Sequence, residues 1–239
     1  MKIHLVSDLH LEMSKDYPTY LLKVDCNVLV LAGDIGAPFT SKYKNFINLC
    51  SDTFEHVILV AGNHEYYNKK HTIDEINKQI ELVVSEYSNV YFLQQKSVII
   101  DNVRFIGCSL WSNPLNDVGL TNDFTRINGL DEIKYKQLHY ADRVWLTNVL
   151  QDKHNGKTIV VTHYVPSFQL LDSKYTDIIM NSYYASNLES LIEKVSYWFC
   201  GHTHTSVNKI INNCNCVINP YGYPFELHTG FSKELVITF

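Results

Sequence analysis

The chain has 239 residues, of which 46% are hydrophobic and 19% are charged, and its formal net charge is −5. This composition is typical of an ordinary soluble globular domain and excludes a disordered, collagen-like or disulfide-framework protein. Proteins that wrap a long nucleic acid or coat an anionic membrane usually have a basic excess, so the acidic balance supports neither function.

Short apolar runs rich in Val, Ile and Leu recur along the chain and predict β-strands. The clearest cover residues 3–6, 28–31, 57–60, 159–161 and 197–200. Polar residues do not alternate with apolar ones in these runs, which indicates strands that are covered on both faces.

Segments of helical length and period lie between several of these runs. The candidates are residues 40–53, 72–87 and 131–152, and Thr72 offers an N-cap for the second. Alternation of strands and helices predicts βαβ units and an α/β fold.

Antiparallel strands are expected beside the parallel ones. Residues 97–100 and 103–106 flank Asp101-Asn102 and read as a hairpin, and residues 207–239 read as short strands. There is no Gly/Ser-rich linker and no repeat, so we expect a single domain over residues 1–239.

The cysteines and the N-terminus indicate a reducing compartment. Six cysteines are too few for a stapled scaffold, and buried free thiols are the simplest interpretation. The first residues are too polar for a signal peptide, and no stretch reaches the ~18 apolar residues of a membrane span. We therefore expect a cytoplasmic protein that does not bind membranes.

Each of the five strand candidates is followed directly by side chains that can bind a metal. The strings are Ser7-Asp8-Leu9-His10, Gly33-Asp34, Gly62-Asn63-His64-Glu65, Thr162-His163 and Gly201-His202-Thr203-His204. Sites in open α/β sheets assemble at the carboxyl ends of the strands, so these side chains are expected in one cavity.

The residue types favour Mn, Fe or Zn over calcium, which prefers more oxygen ligands. The seven candidate ligands are Asp8, His10, Asp34, Asn63, His163, His202 and His204. They are too many for one ion and suit two ions about 3.5–4 Å apart that share one carboxylate.

Each string alone also has a structural interpretation. Asp8-Leu9-His10 can occur by chance in a loop, and Gly33-Asp34 can be an ordinary turn. Asn63-His64-Glu65 can be a turn with a helix cap, and His163 can be a satisfied buried histidine. The metal interpretation rests on five such endings on five strand candidates.

This ordered set resembles the motifs of the calcineurin-like metallophosphoesterases over residues 1 to about 226. Further strings, including Leu110-Trp111-Ser112, Asn122-Asp123-Phe124 and Asn219-Pro220-Tyr221-Gly222-Tyr223, resemble a bacterial and phage-type branch of predicted phosphohydrolases. The resemblance implies a four-layer α/β/β/α sandwich of two mixed β-sheets flanked by helices.

The resemblance also implies a role for each residue. One metal ion would be held by Asp8, His10 and His204. The other would be held by Asn63, His163 and His202. Asp34 would bridge the two ions, and His64 would face the phosphate as a general acid.

The activity implied is hydrolysis of a small phosphodiester or phosphomonoester. A hydroxide held between two divalent cations (Mn, Fe or Zn, with Mn favoured in vitro) would attack phosphorus, and His64 would protonate the leaving group.

Other polar and aromatic residues have weaker signals. Glu12 and Glu65 are candidates to orient ligand histidines, although each can equally be a solvated glutamate. Arg126 can grip a phosphate through its guanidinium or form a surface ion pair. The tyrosine pairs at 66–67, 183–184 and 221–223 can stack a base, although packing is their commoner role.

Alternatives remain within and outside the enzyme class. A nuclease or a nucleotide pyrophosphatase would carry the same motifs, although a long nucleic acid is an unlikely partner for an acidic chain. A non-catalytic protein-interaction scaffold of the same fold is the other class. The sequence leaves the oligomeric state, the native substrate and the native metals open.

Overall fold

The apolar runs form the strands of two mixed sheets in the computed structural model, which describes residues 1–15, 18–115 and 121–239. The first sheet contains β1 (Lys2–Val6), β2 (Val28–Ala32), β3 (His56–Val60), β4 (Val90–Phe92) and β11 (Val236–Thr238). Its order is β11-β1-β2-β3-β4, and only the β1–β11 pair is antiparallel.

The second sheet has parallel strands at its centre and an antiparallel strand at each edge. It contains β5 (Lys96–Ile100), β6 (Val103–Cys108), β7 (Lys157–Thr162), β8 (Tyr197–Cys200), β9 (Val207–Ile211) and β10 (Cys214–Ile218). The order is β5-β6-β7-β8-β10-β9. The hairpin expected around residues 101–102 is the β5–β6 pair.

Three long helices occur where periodicity predicts them, and shorter ones lie in the loops. The α-helices are α1 (Ser41–Thr53), α2 (Ile73–Val84), α3 (Asp123–Arg126), α4 (Glu132–Val149), α5 (Ile178–Asn181) and α6 (Glu189–Ile192). Short 3₁₀ turns span Thr19–Lys23, His64–Tyr66 and Phe168–Leu170. Thr72 caps α2 in a reciprocal capping box with Glu75, which satisfies N–H groups that a helix start leaves free.

Alternate residues of one strand enter different cores, which explains the unbroken apolar runs. In β2, Val30 packs between the two sheets against Phe105 and Phe199 of the second sheet. Its neighbour Leu31 points to the other face, where α1 and α2 cover the first sheet. A third core lies between the second sheet and residues of α4 and α6. Three cores between four layers confirm the expected α/β/β/α sandwich.

The cysteines and the helices agree with the sequence-based expectations. All six cysteines are free thiols, and all except Cys26 are buried. Within the described ranges, the helices lack the length or the apolar composition needed to cross a membrane.

Candidate metal centre

The carboxyl ends of β1, β2, β3, β7 and β8 bring the seven predicted ligands together. Five of these side chains belong to residues that are almost fully buried: Asp8, His10, Asp34, Asn63 and His163. The remaining two, His202 and His204, are partly exposed at the cavity side. Ligand-capable atoms of six of these residues (all except Asn63) and of His64 form overlapping groups, in each of which the atoms lie within 4.8 Å of one another.

The first group contains Asp8, His10 and His204. The Nε2 atoms of His10 and His204 lie 3.1 Å apart, and Asp8 Oδ1 lies 3.4 Å from His204 Nε2. Asp8 also accepts hydrogen bonds from the hydroxyl of Ser7 and from the backbone N–H of His202. Its carboxylate therefore links the end of β1 to the loop after β8.

The second group contains Asn63, His163 and His202, with Asp34 between the groups. His163 Nε2 lies 3.1 Å from Asn63 Oδ1 and 3.4 Å from Asp34 Oδ2. The same Asp34 oxygen lies 3.8 Å from His10 Nε2 in the first group. Asp34 thus lies close to histidines of both groups.

The protonation of the histidines tests whether these residues fit metal ions. Nδ1 of His10 bonds to Glu12 (3.2 Å), Nδ1 of His204 to Glu226 (2.5 Å), and Nδ1 of His163 to the carbonyl of Ala32 (3.0 Å). A carboxylate or carbonyl oxygen only accepts, so each Nδ1 carries the ring proton. In the neutral ring, each Nε2 is then a lone-pair acceptor.

These lone pairs face other acceptors rather than donors. His10 Nε2 faces His204 Nε2, and His163 Nε2 faces Asn63 Oδ1. The amide nitrogen of Asn63 is engaged elsewhere, with Asp123, so its oxygen is the atom that points inward. Acceptors at about 3 Å attract each other only when a proton or a metal ion lies between them, so the donor set fits metal ions.

The pKa values of the histidines also indicate that positive charge stabilises the cluster. Burial lowers the pKa of His163, but the neighbouring Asp34 carboxylate outweighs burial and raises that pKa to about 10. Burial is also outweighed at His204, where the bond to Asp8 raises the pKa to about 9. At His202, burial and the nearby His163 lower the pKa to about 3. Without metal, protons take the positions that cations would occupy.

Five of the seven ligands have a left-handed backbone, which is uncommon for residues other than glycine. The φ angles are 56° at Asp8, 46° at His10, 54° at Asp34, 72° at His202 and 48° at His204. Such conformations cost of order 1–3 kcal/mol each and persist where the surroundings hold them. The loops are therefore built to aim these side chains inward.

Glycines precede three of the ligands because a side chain would collide with the cluster. A Cβ at Gly33 would lie 2.5 Å from His163 Nδ1, and one at Gly62 would overlap Asp34 Oδ1. At Gly201, the nearest atom would be Asp8 Oδ2 at 2.7 Å.

Glu12 and Glu65 have different roles. Glu12 contacts two histidines, because its Oε1 lies 3.2 Å from His10 Nδ1 and 3.0 Å from His64 Nδ1. Glu65 does not orient a histidine, so that expectation was wrong. Its carboxylate accepts backbone N–H bonds, at 2.9 Å from Asp34, 2.6 Å from Ile35 and 2.7 Å from Gly62. It fixes the loops that carry Asp34 and Asn63.

His64 lies at the edge of the cluster, facing the cavity. Its backbone N–H donates to Asp34 Oδ1 (2.8 Å), and its Nε2 lies 3.0 Å from the hydroxyl of Tyr223. Burial lowers the pKa of His64, but the charge of Asp34 and the bond to Glu12 outweigh burial and raise it.

Three supporting residues were missed by sequence reasoning. Asp123 accepts from the amide of Asn63 (2.9 Å) and from the hydroxyls of Tyr67 (2.8 Å) and Tyr164 (3.1 Å). Glu226 contacts His204, and Tyr223 contacts His64. Asp123 and Tyr223 lie in strings noted in the sequence, but nothing local in those strings indicates which ligand they touch.

A cavity of about 600 Å³ opens from the metal centre toward residues 171–184. His64, His202 and Tyr223 line its inner end. Arg126 is exposed at the end of α3 and is absent from the described lining, where Lys174 is present instead. The structure therefore does not bring Arg126 to the centre.

Comparison with known proteins agrees with this arrangement. The model of the calcineurin-like phosphoesterase family matches residues 1–206. An uncharacterized protein of Acanthamoeba polyphaga mimivirus is 29% identical over 257 residues, covering 94% of this chain and 92% of that protein. The fold is similar to that of a phosphopantetheinyl hydrolase from Mycobacterium tuberculosis (TM-score 0.73, 15% identity, 93% of this chain and 90% of that chain). A dimetal phosphatase from Danio rerio is also similar (TM-score 0.52, 14% identity, 93% and 87%). The chain thus belongs to the calcineurin-like phosphoesterase family.

Proposed function

We propose that the protein hydrolyses a small phosphodiester or phosphomonoester with the help of two divalent cations. The observation that carries this proposal is the convergence of acceptor atoms. Nε2 of His10 faces Nε2 of His204 at 3.1 Å, and Nε2 of His163 faces Asn63 Oδ1 at the same distance. Each pair needs a cation between its two atoms, and two metal ions would satisfy both pairs.

The family resemblance divides the residues between the two cations. Asp8, His10 and His204 hold one cation, and Asn63, His163 and His202 hold the other. Asp34 lies between them. When bound, two divalent cations lower the pKa of a shared water and polarise the phosphoryl group. Mn²⁺ suits this mixed oxygen and nitrogen donor set and is the first metal to test.

The charge of the centre favours an anionic substrate. Two divalent cations contribute +4, and the carboxylates of Asp8 and Asp34 subtract 2, so the centre stays positive. The other ligands are neutral imidazoles and an amide. A phosphate is therefore attracted to the inner end of the cavity.

His64 holds the proton that the leaving group needs. Glu12 accepts from Nδ1, and Nε2 faces the cavity beside Tyr223. When the imidazole is doubly protonated, Nε2 carries the proton that can be donated. From there His64 can donate to the oxygen that leaves phosphorus, and such general acids contribute typically 10²–10⁴-fold. Burial lowers the pKa of His64, but in the metal-free protein the charge of Asp34 and the bond to Glu12 outweigh burial and raise it.

The cavity supports a small substrate rather than a polymer. It has a volume of about 600 Å³, which lies within the roughly 300–1,000 Å³ of small-molecule sites. The net charge of −5 offers no basic track for a long nucleic acid.

The test is reconstitution of metal-depleted protein with Mn²⁺, followed by metal analysis and assays on p-nitrophenyl phosphate and bis-p-nitrophenyl phosphate. We expect about two metal ions per chain and turnover of at least one ester. Two bound ions without turnover of any phosphoester would instead favour the non-catalytic scaffold.

A further inference from the structure

The outer part of the cavity has a wall that the hydrolytic centre does not use. This wall is formed by residues 171–184, between β7 and β8, and includes the short helix α5. It faces the metal ligands across the cavity, where the alcohol portion of a bound phosphoester would lie.

Exposed aromatic rings characterise this wall. Tyr184 is 39% exposed, and its ring centroid lies 5.2 Å from that of His202. Tyr175 is 52% exposed and lines the same cavity with Met180, and Nζ of Lys174 lies over its ring, 4.8 Å from the centroid. Aromatic rings left open in a concave site offer flat apolar surface to a ligand. The contact between Tyr184 and His202 places one of these rings directly beside the centre.

The charges of the wall disfavour a second phosphate. Among its described lining residues, Asp172 and Asp177 are acidic and Lys174 is basic. Lys174 already pairs with Asp172, with 2.9 Å between Nζ and Oδ2. Asp177 accepts from the N–H of Ile179 at the start of α5. The formal sum is −1, so an additional anionic group gains nothing by lying here.

We propose that this wall binds a flat, uncharged leaving group, so that the substrate carries a single phosphoryl group esterified to an aromatic-bearing alcohol such as a nucleoside. The proposal rests on the proposed function. Hydrolysis forms a bond from phosphorus to the oxygen of water and breaks the bond to the nucleoside oxygen, which takes a proton. Water is the only co-reactant, and the products are phosphate and the neutral nucleoside.

The first experiment compares three substrates with the Mn²⁺-loaded protein. These are adenosine 5′-monophosphate, adenosine 5′-diphosphate and glycerol 2-phosphate. We expect kcat/KM for the monophosphate to exceed that for glycerol 2-phosphate by at least about tenfold, the effect of stacking one base on an aromatic ring. We expect the diphosphate to be the poorer nucleotide.

Variants then assign the preference to the wall. The double variant Tyr175→Leu/Tyr184→Leu should lower the ratio of kcat/KM for the monophosphate to that for glycerol 2-phosphate by about tenfold, mainly through KM. The matched control is Tyr140→Leu on α4, which is exposed outside this cavity and should leave the ratio unchanged. The double variant Asp172→Asn/Asp177→Ser removes both negative charges, so it should raise the ratio of kcat/KM for the diphosphate to that for the monophosphate severalfold. Serine is chosen at position 177 because it retains the helix cap.

The outcomes separate the two proposals. Failure of the metal-loaded protein to hydrolyse any phosphoester would overturn the proposed function. Hydrolysis of glycerol 2-phosphate at least as efficient as that of the monophosphate would overturn only the subsite, and so would an unchanged ratio in the tyrosine variant. Faster turnover of the diphosphate would overturn the single-phosphoryl specificity.

Discussion

Nε2 of His64 lies 3.0 Å from the hydroxyl of Tyr223, although the two residues are 159 positions apart in the chain. Glu12 contacts the other ring nitrogen at 3.0 Å. The imidazole is therefore held from both sides in one orientation. An imidazole held in one orientation does not lose further rotational freedom when it donates a proton to the leaving oxygen.

Replacing His64 with alanine tests its role as the acid. We expect kcat to fall by about 10²–10⁴-fold, because the leaving oxygen loses its proton donor. Metal content should stay near two ions per chain, measured by elemental analysis. The control is His154→Ala, since that histidine lies outside the cavity lining. Loss of one metal ion in the His64 variant would show that this residue is a ligand.

Tyr223→Phe tests the hydrogen bond to His64 separately from ring packing. The ring of Tyr223 lies 4.4 Å from that of His10 and 4.6 Å from that of His204, and phenylalanine retains these contacts. We expect kcat to fall about 2- to 10-fold, the worth of one hydrogen bond, with metal content unchanged. Steady-state kinetics measures kcat of this variant, with Tyr140→Phe as the control. Wild-type kcat in the Tyr223 variant would show that the bond does not orient His64.

Asp123→Asn tests the support of a single metal ligand. The carboxylate accepts from Asn63, Tyr67 and Tyr164. An asparagine keeps one acceptor oxygen but replaces the other with an N–H donor, so at least one of these bonds would be lost. We expect affinity for one metal to fall about 10- to 100-fold, as is usual when a supporting residue is lost. Calorimetric titration of metal-depleted protein would show two unequal sites. Equal weakening of both sites would contradict the assignment of Asn63 to one cation.

The pH dependence of the metal-depleted protein follows from the histidines. The folded pKa values of about 10 at His163 and about 9 at His204 exceed the ordinary 6.5. Their stabilising effect is complete below about pH 6.5 and is lost as pH rises through about 9–10. His64, whose pKa is also raised, acts in the same direction.

We therefore expect the Tm of chelator-treated protein to fall between about pH 6.5 and 10, and the Tm of Mn²⁺-loaded protein to fall less. Scanning calorimetry at fixed ionic strength measures both. His204→Gln should flatten the curve of the depleted protein. A Tm that rises over this interval without metal would contradict the charge balance of the cluster.

Local sequence patterns predicted the elements that carry the site. Both faces of β2 are buried, so its apolar run was recognisable, and the polar residues after it mark the strand end. The positions of the seven candidate ligands were predictable because all of them follow shortly after the ends of five strands. The layer count came from the family resemblance, since no periodicity states how two sheets stack.

The supporting residues were not predictable for a physical reason. Glu226 and Asp123 act across 22 and 60 positions of sequence, through loops whose path depends on the finished fold. For Glu65 the sequence left two roles open, orienting a histidine or lying in solvent. In the fold it instead satisfies N–H groups at the turns after β2 and β3.

The division of the ligands between the sheets has a mechanical consequence. Asp8, His10, Asp34 and Asn63 follow strands of the first sheet, whereas His163, His202 and His204 follow strands of the second. Each cation would thus be bound by side chains from both sheets, at the seam between them. Because the cations would bind only when the two sheets are packed together, metal binding would stabilise that packing by mass action. Chelation should accelerate amide exchange along that seam before it loosens the outer helices.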